Sequence, residues 1–560
     1  MYVAMKMKKT TIYTAAFAAL VMATGCKKQA FVDLNTNPDV LYSIKPEEQF
    51  FNAGIQIHNQ DFEQFYDNFR RTMYWMQMST GQAGNSGAAL KEVGNTNQRL
   101  SIYMPALGTI TTDVGVLISK MSDQDKAART HLAAMAEVLK IYYAFYVSDI
   151  NGSIPYSEAF QARYGGTLTP KWESQQSLYT LWDARLKELI TTLKGSTAGQ
   201  ITLGSNDQYF AGNSARWAKA AAALRMRMAL RLHKRDNAKA RAILQEVVAD
   251  AGNLMTSNAD SWVYIAHQSF TAGGNWNPEE FRAPKPTVDF MWTTTDPRLR
   301  MFYQPNNYTQ ANINTAIAAG VLPAGTMEPA RRYVGVPISP DVSQAEPVRS
   351  WLQGKRVSAS LTMDTMSYIQ YRMWQPSQNN GDGQAFFPVI TYADQLLMRA
   401  EAAARGLTTE NAETLYNQGV TASIQFYSDR AVAAKVPNMT PATTAEITAY
   451  LNHPSVKYTA AKALELIAVQ QYINFYKQPN EAWALFKRTG MPNKNTVLAN
   501  EDILIDGSVY AIPRRAQINV PASTDLNRAN KQAAIDDMMK DPEFGNDPLN
   551  VYGRVWWDKQ

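Results

Sequence analysis

The chain has one cysteine, Cys26, in 560 residues. No internal disulfide can form, and thiolate catalysis is excluded once that sulfur has another use. Histidine is scarce too. His58, His131, His233, His267 and His453 are far apart and show no metal-ligand spacing. No nucleophile elbow or phosphate-binding glycine loop is present. Charged residues make up only 19% of the chain, and the leader residues Lys6, Lys8 and Lys9 carry half of the +6 formal charge. What remains is too weak and dispersed for nucleic acid. Beyond the leader no apolar run reaches membrane-spanning length, so a soluble body is expected.

The single thiol has a telling position. An uncharged stretch from Thr10 to Thr24 follows the basic start and ends Ala23-Thr24-Gly25-Cys26. This is the layout of a cleaved secretory leader. A cysteine directly after small residues resembles a bacterial lipobox, with Ala23 where Leu is usual. The expectation is a signal peptide at 1–25, lipid attachment at Cys26, an extended anchored segment at 26–45 and a single domain at 46–560. Several acyl chains anchor far more firmly than one.

What the chain has in quantity is helical periodicity and aromatic residues, with 12 Trp and 28 Tyr. Apolar spacing predicts helices from Pro46 towards Met78, over 124–148, 175–193, 214–235 and 236–251, and again over 391–405, 409–427, 442–452 and 458–477. Residues 79–97 are polar and read as a loop. Residues 252–390 lose regular periodicity and read as a large irregular insertion, the usual place for a functional surface. The tail from Asn495 reads as irregular. The fold class is mainly α, with helix pairs stacked like tetratricopeptide repeats around that insertion.

Several segments carry a specific likeness. They are Phe31-Val32-Asp33-Leu34-Asn35-Thr36-Asn37-Pro38, Asp149-Ile150-Asn151-Gly152-Ser153-Ile154-Pro155-Tyr156, Arg216-Trp217-Ala218-Lys219 continuing to Arg231, and Asp296-Pro297-Arg298-Leu299. Further along come Thr391-Tyr392-Ala393-Asp394, Asn480-Glu481-Ala482-Trp483 with Lys487-Arg488, Ile512-Pro513-Arg514-Arg515 and Trp556-Trp557-Asp558. Taken in order, these resemble the SusD/RagB superfamily of outer-membrane lipoproteins, in its SusD-like type 2 branch. Ser153, Ala222 and Lys487 depart from the pattern, which more often has Asp, Asn and Arg there. The resemblance implies a non-enzymatic, surface-exposed lipoprotein, and the sequence assigns no cofactor and no metal ligands while leaving open a divalent ion that braces a loop. It also implies a partner, a SusC-like TonB-dependent barrel, which the protein covers as a lid while delivering an oligosaccharide or a peptide. Composition alone leaves a two-carboxylate glycoside hydrolase open. A helical scaffold that binds only protein is a third reading.

Within that frame, Arg216, Arg225, Arg227 and Arg231 share one helix and read as structural ion-pair formers. Glu137, Glu158, Glu401 and Glu481 are the candidate partners. Trp217 and Trp483 read as core. The ligand candidates are aromatic residues in or near loops, whose rings can cover the C–H faces of sugars, together with amides that can bond hydroxyls. They are Trp276, Trp374, Tyr103, Trp351, Tyr303, Tyr308, Asn95 and Asn97.

Overall fold

Helices begin where side chains satisfy the first free N–H groups. Asn213 accepts a hydrogen bond from the Arg216 N–H at 3.1 Å and caps a helix rich in alanine. Thr391 and Asp394 form a reciprocal capping box. Gly152, with φ +73°, ends the helix that Asn151 closes.

The computed structural model describes residues 44–58, 71–81, 100, 103, 107–266, 281–374 and 383–560. Helices of nine residues or more are α1 (Pro46–His58), α2 (Gly108–Ser119), α3 (Thr130–Asn151), α4 (Gln175–Leu193), α5 (Ser214–Leu232) and α6 (Asn237–Ala249). Then come α7 (Lys285–Thr293), α8 (Gln310–Ala318), α9 (Tyr392–Ala404), α10 (Ala412–Ala433), α11 (Thr444–Asn452), α12 (Ala463–Asn474), α13 (Pro479–Thr489) and α14 (Arg528–Met538). Outside the insertion, periodicity missed α2, α13 and α14. The tail is therefore not wholly irregular: α14 buries Ala534 and Ile535. Among the described residues, no helix is long and apolar enough to cross a membrane.

Pro46–Gln560 forms one compact unit. Successive helices pack side by side through α3, α4, α5 and α6, and again through α9, α10 and α12. The first stack surrounds a core that includes Leu139, Trp182, Trp217 and Leu224. The second surrounds Leu397, Tyr416, Ile467 and Trp483. Contacts between α5 and α9 join the two stacks across the insertion.

The insertion is not structureless. Its ends are zipped together, with strand Trp262–Ala266 antiparallel to strand Ala385–Ile390. Between them lie α7, α8 and several shorter elements, too brief to leave a readable period. Val263, Phe281, Val288, Met291 and Phe302 enter the second core, so the insertion supplies part of the main hydrophobic interior.

Candidate ligand-binding face

Backbone hydrogen bonds knit five separate segments of the chain into a scaffold. Thr80 and Arg282 exchange N–H···O bonds of 3.1 and 2.9 Å. The Ala283 N–H reaches the Ser367 carbonyl at 2.9 Å, and Ile369 reaches Phe281 at 3.1 Å. Val336 donates to Ala283 at 2.8 Å, and Gln304 donates to Tyr368 at 2.8 Å. Gly81, Phe281 and Trp374 flank the segments that hold Asn95, Asn97, Trp276 and the polar run after Trp374. Trp276, Asn95 and Asn97 themselves lie outside the described residues, as does Cys26.

Two aromatic–guanidinium pairs stand on this scaffold. Trp292, in α7, is 37% exposed. Its ring lies 6.4 Å from that of Tyr333, and the Arg331 guanidinium carbon is 5.5 Å from its centre. Arg331 is held by Asp289 and by the Tyr333 carbonyl, which accepts from its Nε at 2.8 Å. Lys285 also reaches Asp289, at 2.6 Å. Burial raises the Tyr333 phenol pKa, so its hydroxyl stays protonated and able to donate. In the second pair, Arg282 stacks 3.5 Å over the Tyr368 ring. Burial, then a hydrogen bond to Asp364, raises the Tyr368 pKa. An exposed indole edged by a fixed guanidinium, a carboxylate and a phenol can cover an apolar ring face while bonding surrounding hydroxyls.

The sequence-derived ligand candidates divide sharply. Trp351 is 39% exposed, and its carbonyl accepts from Thr365 Oγ1 at 2.9 Å. Tyr308 is half-buried and packs on the Ile313–Met363 cluster. Asn307 bonds the Thr362 carbonyl at 2.6 Å, so Tyr308 and Trp351 meet the same short stretch. The other three are not open platforms. Trp374 is 1% exposed, with Tyr476 and the Lys477 ammonium against its ring. Tyr303 is buried beside Phe302 and Tyr476. Tyr103 is buried in the first core, where its hydroxyl donates to the Pro155 carbonyl at 3.0 Å. A polar sequence neighbourhood did not expose these rings, because distant helices cover them. Trp292, Tyr333 and Tyr368 were missed. The one signal was Trp292 itself, followed at once by the polar run Thr293-Thr294-Thr295.

The model of the SusD-like type 2 family, described as "Starch-binding associating with outer membrane", matches residues 38–516. The chain belongs to the SusD-like family. Solved structures agree at the level of fold. A chitin-binding protein is 23% identical, with 92% of this chain and 100% of that one covered and a TM-score of 0.69. A SusD homologue from Bacteroides fragilis is 17% identical, with 92% and 100% covered and a TM-score of 0.66. A chitin-binding SusD homologue from Flavobacterium johnsoniae is 20% identical, with 92% and 98% covered and a TM-score of 0.58. No curated protein matches the chain.

The SusD-like segments meet in space as buried ion pairs. Arg231 bonds Asp149 at 3.0 Å and Glu481 at 2.8 Å, and Arg227 bonds Asp394 at 3.2 Å. Burial opposes ionisation of Glu481, but Arg227 and Arg231 outweigh it and lower its pKa. Arg225 pairs instead with Asp183 at 2.8 Å and Glu246 at 3.2 Å. Arg216 is half-buried and comes no closer than 3.8 Å to Asp260. Of the four expected carboxylates, only Glu481 serves this helix. Glu137 is taken by Arg185, Glu401 by Arg488 and Arg405, and Glu158 lies exposed near Lys171. Arg298 is fully buried on Asp296 at 2.7 Å and also reaches Ser423, Tyr450 and Gln470, tying the insertion to α10, α11 and α12. Arg514 and Asp558 pair at 2.6 Å and join the last two motifs.

Proposed function

We propose that this SusD-like protein binds a nutrient glycan at the outer-membrane surface and passes it intact to a SusC-like TonB-dependent barrel, over which it sits as a lid. The family match across residues 38–516 carries this reading. The Trp292–Tyr333–Arg331 face supports it by offering the apolar ring and fixed polar groups that sugar recognition requires. Cys26 is the lipid anchor in this reading. Lid action is binding and gating, driven by differential affinity for open and closed states, with no bond broken. The two chitin-binding neighbours make β-linked N-acetylglucosamine oligomers the first probes.

The test is calorimetric titration of the full-length protein in detergent against chito-, malto- and cello-oligosaccharides and oligopeptides, with product analysis of each mixture. Saturable glycan binding without cleavage is expected. Trp292→Ala should weaken it about tenfold, the size of one lost stacking contact. Binding of peptides alone would move the ligand class, and cleavage of any probe would overturn the non-enzymatic reading.

A further inference from the structure

A separate cleft of about 510 Å³ opens beside the C-terminal loops, within the range of small-ligand sites. Its walls carry the rings of Tyr510, Tyr552 and Phe486. Tyr552 is 45% exposed, an unusual amount for an aromatic ring lining a concavity. Burial, then the neighbouring Tyr552, raises the Tyr510 pKa, so the Tyr510 phenol keeps its proton.

Polar groups face the same space. The Asn500 side-chain oxygen is buried and has no hydrogen-bond partner within the protein. A buried acceptor without a donor costs free energy, and rotation of the Asn500 amide towards a ligand hydroxyl in the cleft would relieve it. Asn495 lines the cleft and is exposed. Lys494 and Asp502 form a half-exposed pair at 2.7 Å on its rim.

The wall is held rigidly. Gln77, which also lines the cleft, is buried with φ +56°, a conformation that non-glycine residues rarely adopt. Its side-chain amide donates to the Glu501 carbonyl at 2.7 Å and accepts from the Glu501 N–H at 2.9 Å. This double clamp fixes the residue next to Asn500. Backbone outliers persist where surrounding structure over-determines them, often at ligand clamps.

We infer that this cleft is a second saccharide subsite, one that takes one or two pyranose units of a neutral oligosaccharide against Tyr552 and Asn500. The lining contains aromatic faces and amides, and its four charged residues balance: Lys494 pairs with Asp502, Arg514 pairs with Asp558, and the Glu501 carboxylate accepts from the Ile338 N–H, so a neutral hydroxylated ring fits better than an ion. This inference rests on the glycan reading above and adds a site that the insertion face does not contain.

Full-length protein in detergent is titrated with chitotetraose, maltotetraose and cellotetraose, and hydrogen exchange is followed with and without the tightest binder. Peptides covering 493–512 should be protected by that sugar, and should remain so in Trp292→Ala. Tyr552→Ala, a change at an exposed ring, should weaken binding about tenfold without altering the melting temperature. Asn500→Ala should act in the same direction. If a tetrasaccharide binds, yet both variants titrate as wild type and 493–512 exchanges unchanged, the subsite is refuted and the glycan reading stands. If none of these sugars binds, both fall.

Discussion

Lys487 shows how far one residue can be driven by its surroundings. It is buried in α13, with its ammonium 4.1 Å from the Trp483 ring centre and 4.8 Å from that of Trp557. Burial brings its pKa down from 10.5 to about 7, against the pull of Asp149 and Asp558. Between those two values the unfolded chain holds the proton and the folded chain does not, so this group makes stability rise as pH increases. Replacing such a charge with an apolar side chain of similar length often stabilises. Lys487→Met should gain about 1–4 kcal/mol at pH 6. The gain should shrink above pH 7, as the wild-type amine loses its proton in the folded state. Urea unfolding at pH 6 and pH 9 measures this, and an equal or larger gain at pH 9 would contradict it. The sequence marked Lys487 as a departure from the SusD-like pattern, but not its burial. The arginines of α5 teach the same lesson. Their role was legible from charge on an otherwise apolar helix, whereas their partners were not. Partner choice is set by helices that arrive from far along the chain, as Glu481 does.

At the scale of elements, α13 was legible only as a motif, yet its ends follow simple rules. Pro479 stands at its first turn and Gly490 takes the left-handed position after its last residue, with φ +72°. A Cβ at Gly490 would meet nothing within 4 Å, so a substitution is penalised by backbone strain alone. Gly490→Ala should therefore cost about 1–2 kcal/mol. The urea midpoint reads this, and a neutral result would mean that the helix end can relax. A long amphipathic helix such as α4 was legible because one stripe of it is buried, whereas α5 is buried on every side from Ala220 to Leu232. The insertion was legible only as an absence of period. Its order comes from the pairing of Trp262–Ala266 with Ala385–Ile390 and from single bridges such as Thr80 with Arg282. Such pairings join residues too distant for any local pattern to reveal. That is also why Trp374, Tyr303 and Tyr103 looked like loop aromatics and are core, while Trp292 went unnoticed.

Across the whole molecule, the question is whether two cores make two folding units. Each stack has its own apolar interior, and a chain this long can divide. The seam between them is charged and buried. Glu481 of α13 holds both Arg227 and Arg231 of α5, and Arg227 also holds Asp394 of α9. Opening the seam would leave these charges in a partly dry surface without partners, at a cost of several kcal/mol. Helix packing of α5 on α9 adds apolar contact to the same seam. The two stacks should therefore unfold together. In hydrogen exchange across a urea series, the most protected amides of α4 and of α12 should share one midpoint. Glu481→Ala removes the shared carboxylate and should lower both midpoints together, with a stability loss of about 3–5 kcal/mol, the usual penalty for stranding a buried charge. Two separate midpoints in the wild type would show the stacks to be independent, and the ion pairs would then be local fastenings rather than the joint that makes the scaffold one body.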